Sequence, residues 1–200
     1  MSSTAISLSR RTFLRGTTLG LAVALAGCTA LGDASGERQN DDGTTTYVNE
    51  QFGFEVTYPG DWRLDEESED VSEGVVAVRV PADDRFVVRL RVDADRLSTP
   101  RTLDSVATAE LVGWQRHAEA DYEVMSQRRV TLPGDVQADI VDGTFRRSNG
   151  STVRHKMLNA VGQSGEVRYY VDFIASIEWY DRMGFDDDVE TVFASFTVEP

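Results

Sequence analysis

Phe52-Gly53-Phe54-Glu55-Val56-Thr57-Tyr58-Pro59-Gly60-Asp61-Trp62 is the stretch on which the fold turns. Phe52, Phe54, Val56 and Tyr58 fall on one face of an extended chain, because successive side chains of a strand point to opposite sides. Pro59-Gly60 ends the strand, since proline cannot donate to a ladder and glycine accommodates the turn.

The same alternation recurs downstream. Val76, Val78 and Val80 mark a second strand. Phe86, Val88, Leu90 and Val92 mark a third, alternating with Val87, Arg89, Arg91 and Asp93. Further strands are expected over about 122–132, 136–147, 151–161 and 166–176. Asn149-Gly150 reads as a two-residue hairpin turn and Gln163-Ser164-Gly165 joins the last pair. Successive hairpins require an antiparallel sheet. Two segments carry helical spacing instead. In 102–119, Leu103, Ala107, Leu111, Trp114 and Ala118 form one stripe. In 186–195, Val189, Val192 and Phe193 fall together behind Asp186, Asp187 and Asp188, acids that suit a helix N-terminus. The order predicts a single α+β domain over residues 47–200 with an antiparallel sheet.

The stretch from Tyr47 through Trp62 resembles the opening of PsbP-like domains, in which an aromatic-Gly-aromatic strand runs into Tyr-Pro and then Trp. The closing Phe193-Ala194-Ser195-Phe196 is similar to the end of that family. The resemblance implies an α/β/α sandwich around a central antiparallel sheet. It carries over no catalytic residue, because the matching aromatics pack the fold. The family includes photosystem II extrinsic subunits, Ran-binding import factors and bacterial lipoproteins, and neither of the first two functions transfers on these residues.

Upstream of the domain the character changes. Residues 28–46 are rich in Gly, Ser, Thr and Asp without apolar periodicity, which predicts a flexible acidic tether. Before it, Arg10-Arg11-Thr12-Phe13-Leu14 precedes an apolar run over Leu19–Gly27 that is about half the roughly 20 residues needed to span a bilayer. A basic start, a short apolar run and small residues before a cut describe a signal peptide over 1–27. Arg10, Arg11, Phe13 and Leu14 match the twin-arginine export pattern. Leu25-Ala26-Gly27-Cys28 resembles a lipobox, which makes Cys28 the lipidation site and the mature N-terminus. Two acyl chains suffice for stable anchoring where one does not. The expected address is the cell surface, on the outer face of the cytoplasmic membrane, held there through lipid on Cys28.

Arginines 10, 11 and 15 are the only charged residues before Cys28, so the mature chain keeps 17 basic and 34 acidic side chains. Lys156 is the single lysine. Self-repulsion of this size destabilises a compact domain in dilute salt, and at 1 M salt a screening length of about 3 Å removes most of it. Dense carboxylates with almost no lysine resemble proteins of salt-loving archaea. No basic stripe is present to neutralise phosphates, which argues against a nucleic-acid partner. With Cys28 lipidated, the mature domain has no thiol for a disulfide, a metal or a nucleophile.

Candidate chemistry is sparse. His117 and His155 lie outside any metal-binding spacing, and packing or surface roles are expected for both. No G-x-S-x-G, phosphate loop or dinucleotide fingerprint occurs. The runs Asp65–Asp70 and Asp186–Asp188 with Glu190 could hold a hard cation weakly, but they lack a calcium-loop pattern and are expected to be solvated surface. No metal, cofactor or catalytic residue is therefore assigned. Asn149-Gly150-Ser151 is an N-x-S sequon, making Asn149 a candidate N-glycosylation site. Tyr169 is expected in the core and Tyr170 on the surface, with Trp62, Trp114 and Trp179 packing residues. Two function classes follow. One is a non-enzymatic binding or accessory module for another envelope component; the other is a small envelope hydrolase or metal-dependent enzyme with a dispersed site. A cluster of Ser, His and carboxylate, or of His155 with two acids, would favour the enzyme.

Overall fold

The computed structural model describes residues 35–65, 70, 74–79, 89–117 and 122–198. Its elements run β1 (Gly36–Gln39), β2 (Thr44–Asn49), β3 (Phe54–Pro59), β4 (Arg63–Leu64), β5 (Val75–Arg79) and β6 (Arg89–Arg96). There follow α1 (Leu103–His117), β7 (Glu123–Leu132), a 3₁₀ turn (Pro133–Asp135), β8 (Val136–Arg146), β9 (Thr152–Val161) and β10 (Val167–Ser176). The chain closes with α2 (Ile177–Met183), α3 (Phe185–Ser195) and β11 (Thr197–Val198).

The strands form two antiparallel sheets. The larger has the order β4-β5-β6-β10-β9-β8-β7 and the smaller β1-β2-β3-β11. The sequence predicts a central sheet, and a second, smaller one forms beside it because β3 pairs with its hairpin partner and with the chain's C-terminal strand. Strand β3 pairs with β2, in register Tyr47↔Val56, and with the C-terminal β11, in register Val198↔Phe54. Phe54, Val56 and Tyr58 are fully buried, as their alternation predicts. They meet the larger sheet face to face: the Phe54 ring lies 6.3 Å from Tyr169 and 5.9 Å from Phe196. The rest of that face is closed by α2 and α3. Trp62 stacks on Phe173 at 5.9 Å, and Phe185 of α3 sits 5.4 Å from the same Phe173. Each such aromatic removed from water contributes roughly 1.5–3 kcal/mol before entropy is counted.

Residues 36–46, expected within a flexible tether over 28–46, are folded. Gly36–Gln39 pairs with β2, and Asn40-Asp41-Asp42-Gly43 is a hairpin turn. Asn40 Nδ2 donates to Thr44 Oγ1 and Thr46 Oγ1, both at 2.9 Å, while Asp42 Oδ1 accepts from the Thr44 amide and hydroxyl. Polar residues that suggest a solvated linker are here turn-forming groups bonding one another and the Thr44 amide.

The β8–β9 connection is also longer than two residues. Arg146 pairs with Thr152, so Arg147–Ser151 form the loop. Only Gly150 takes positive φ, +83°, because Asn149 makes its turn through its side chain. Helix α1 ends at His117, before Ala118, which lies outside the described residues. So do Val80, Phe86, Val88 and the acids Glu66, Glu67 and Glu69. Helix α2 carries no warning in the apolar spacing.

Candidate functional site

The two faces of the larger sheet differ in kind. One is the largely aromatic and aliphatic core described above, with Lys156 and Arg154 beside Phe173 and Ala175. The other lies beneath α1 and carries polar groups.

Leu111 and Trp114 of α1 pack on Val141, Met157 and Tyr170, anchoring the helix across β8, β9 and β10. Trp114 Nε1 donates to Tyr170 Oη at 2.7 Å. Tyr170 Oη lies 3.2 Å from His155 Nε2, and Tyr122 Oη lies 3.1 Å from His155 Nδ1. One assignment satisfies every atom: the indole donates to Tyr170, Tyr170 donates to Nε2, and Nδ1–H donates to Tyr122. The imidazole is fully buried, with the Trp114 ring 4.2 Å away. Burial, with the Arg89 charge adding to it, pushes its pKa down to about 3, so the ring is neutral. Gly143 is the register partner of His155. A Cβ there would stand 2.7 Å from Tyr122 Oη and 2.8 Å from the Glu123 carbonyl, so the glycine makes room for the Tyr122 ring. Burial raises both phenols as well, holding them protonated.

Tyr170 was expected at the surface. It is on the face opposite Tyr169, as alternation requires, but α1 covers that face and leaves it 7% exposed. Its register partner is Asn159, four residues along β9 from His155. Its phenol therefore reaches along the strand past Met157, a contact that pairing rules do not reveal.

Charged groups continue on this face. Asp172 is 1% exposed, opposite Arg91 on β6, with Arg89 Nη2 3.5 Å away. That distance and geometry leave both carboxylate oxygens without a hydrogen bond among the described residues. Burial pushes the Asp172 pKa up to about 6, against the opposing pull of Arg89 and Arg91. Asp93, bonded to Arg91 at 2.8 and 3.1 Å, is raised by burial too. Asn159 is fully buried, and neither end of its amide has a partner among the described residues.

Between α1 and the edge strand β7 a cleft of about 440 Å³ is lined by Asp104, Ala107, Thr108, Gln127, Arg128, Arg129 and Asp139. The Arg129 guanidinium forks onto Asp139 with two bonds of 2.9 Å and reaches Asp104 at 2.5 Å. These two carboxylates raise the Arg129 pKa further. Strand β7 is exposed along most of its length, and its register shifts between Val124 and Ser126.

Three of the acids singled out in the sequence, Asp65, Asp186 and Glu190, are held in ion pairs. Asp65 pairs with Arg79 at 2.8 Å. Asp186 accepts from Lys156 Nζ at 2.7 Å and from Tyr180, which lowers its pKa. Glu190 meets Lys156 at 3.3 Å and also bonds Arg128. Among the described residues no three His, Cys, Asp or Glu gather as a metal site. Asn149 sits exposed at the tip of the β8–β9 hairpin. Cys28, Arg10, Arg11, Phe13 and Leu14 lie outside the described residues.

The architecture is α+β, an antiparallel β core flanked by helices. In particular it is the PsbP-like fold. The chain is similar to the solution structure of cyanobacterial PsbP (CyanoP) from Synechocystis sp. PCC 6803, with a TM-score of 0.58, 17% identity, and 88% of this chain and 99% of that chain covered. It is similar to LpqN, involved in cell envelope biogenesis of Mycobacterium tuberculosis, with a TM-score of 0.56, 16% identity and coverage of 83% and 91%. The Saccharomyces cerevisiae Ran-binding protein Mog1p follows at 0.52, 7% identity and coverage of 82% and 96%. At these identities the likeness is one of fold. The sequence matches no family model and no curated protein.

Proposed function

We propose that this chain is a lipid-anchored accessory module on the outer face of the cytoplasmic membrane, binding another envelope protein and catalysing no reaction itself. The observation that carries the non-enzymatic half is the state of His155. Both ring nitrogens of the buried imidazole are engaged by tyrosine hydroxyls, and no serine or carboxylate bonds it among the described residues. A general base needs a lone pair within reach of a substrate proton, and this imidazole presents none.

The binding half rests on the cleft between α1 and β7. It is open, walled by both signs of charge, and bordered by an edge strand whose outer backbone groups can pair with an incoming segment. The likeness to cyanobacterial PsbP and to a protein involved in cell envelope biogenesis supports an accessory role by analogy of fold. The address rests on Arg10-Arg11 and Cys28. Eight residues from Cys28 to Gly36 reach at most about 28 Å, so the domain is held close to the lipid.

Cys28→Ser should release the protein from membranes or leave it unprocessed, whereas unchanged fractionation contradicts the anchor. Arg10→Lys with Arg11→Lys should leave precursor inside the cell, and normal export of that double variant removes the twin-arginine reading.

A further inference from the structure

We infer that Asn149 carries an N-linked glycan, attached to the folded domain after export. The inference rests on the export reading above and goes beyond it.

The chain has four asparagines, and the structure sorts them. Asn49 and Asn159 are fully buried. Asn40 uses its Nδ2 on Thr44 and Thr46. Asn149 alone is exposed, and it alone stands in an N-x-S sequon, with Gly150 rather than proline between. A chain that crosses the membrane already folded must present its acceptor in the native structure, and here the one sequon meets that requirement.

The local geometry leaves the reacting atom free. Asn149 Oδ1 accepts from the Ser151 hydroxyl at 2.7 Å and from the Ser151 amide at 3.0 Å. Asn149 Nδ2 has no partner among the described residues. The backbone closes beneath it, with Gly150 N–H donating to the Arg147 carbonyl and Arg147 N–H to the Ser151 carbonyl. Hydroxyl and amide oxygen of the sequon are thus held together at an exposed hairpin tip. Nothing packs on Gly150 to obstruct a transferase: the space where a Cβ would sit is open.

The tip is also remote from the chain's entry. Gly36 pairs with Val48, beside Asn49 and Phe54, and Tyr169 bonds the Phe52 carbonyl at that same end. Asn149 lies beyond the other end of β9, a strand of ten residues and so on the order of 30 Å long. A glycan there leaves the anchored end and the α1–β7 cleft unaltered in sequence and backbone.

The transfer balances with a lipid-linked sugar phosphate as donor. The Asn149 amide nitrogen bonds to the anomeric carbon and the anomeric carbon–oxygen bond to phosphate breaks. The phosphate leaves on its lipid carrier, and one amide proton passes to a base of the transferase. No oxidant or reductant is required.

The test uses the full chain expressed in its native host and recovered from the membrane fraction. Cleavage after Arg147 and Arg154 isolates Ser148–Arg154, and its mass is compared among four forms. Excess mass on that peptide in the wild type and in Ser151→Thr, with complete loss in Asn149→Gln and Ser151→Ala, is the expected result. Membrane-bound, processed protein without excess mass overturns the glycan and leaves the export reading intact. Excess mass that survives Asn149→Gln also overturns it, because the modification then lies on a hydroxyl. Precursor retained in the cytoplasm overturns the export reading and this inference together.

Discussion

The two faces of the seven-stranded sheet are built from the same strands but obey different rules. On β10, Tyr169, Val171, Phe173 and Ala175 look into an aromatic and aliphatic core, whereas Tyr170, Asp172 and Ile174 look toward the α1 side. The first face is filled mainly by packing, with Lys156 and Arg154 near Phe173 held in ion pairs to Asp186, Glu190 and Asp142. The second buries a histidine, a carboxylate near Arg89 but without a hydrogen bond, and an amide that likewise has none among the described residues. Buried polar groups weaken a fold unless they are paired, so the contrast locates where stability has been given up. That side also holds the open cleft beside α1.

The largest effect should come from breaking the apolar face. Phe173→Ala removes a ring shared by Trp62, Tyr180 and Phe185 and should cost about 3–5 kcal/mol in urea unfolding at high salt. On the polar face, His155→Leu deletes both hydrogen bonds and leaves the Tyr122 and Tyr170 hydroxyls wanting partners. A loss of about 1–3 kcal/mol is expected in the same assay. If the two substitutions cost the same, the faces are not different in the way described.

The pH dependence sharpens the contrast, because the two buried groups act in opposite directions. His155 has its pKa lowered from 6.5 to about 3. Its contribution is complete above pH 6.5 and is lost as the unfolded chain takes up the proton on acidification. Asp172 has its pKa raised from 3.8 to about 6. Its protonated form favours the fold below pH 3.8, and that advantage is lost as pH rises through 6. Asp172→Asn should therefore match the wild type near pH 3.5 and exceed it in stability above pH 6.5. His155→Leu should flatten the acid limb. Urea midpoints measured from pH 3 to 8 check both, and a gap between Asp172→Asn and wild type that does not grow with pH contradicts the burial of Asp172.

The smallest effect belongs to the rim of the cleft. Asp104 is exposed, and its bond to Arg129 is screened in salt, so Asp104→Asn should leave the urea midpoint unchanged within error.

The sequence makes the apolar face legible and hides most of the polar one. The expected strands 151–161 and 166–176 appear as Thr152–Val161 and Val167–Ser176, because alternation directly encodes which side chains meet the core. The pairing of Val198 with Phe54 is a contact across most of the domain, and no local pattern announces it; hence the second sheet was not foreseen. Strand β1 is polar and exposed, so it lacks the signal altogether. His155 reads correctly as a packing residue. Its link to Tyr170 depends on a phenol reaching four positions along the strand and on α1 covering that face, neither of which has a spacing signature.

The α1–β7 cleft is the surface proposed to engage an envelope partner. A photo-crosslinking residue placed at Thr108 or Gln127 on the cleft wall, or at Glu178 on α2 as the comparison, tests it in intact cells at native salt. One partner protein captured from positions 108 and 127 but not from 178 is the predicted result. Equal capture from all three positions, or none from the cleft, would contradict the account.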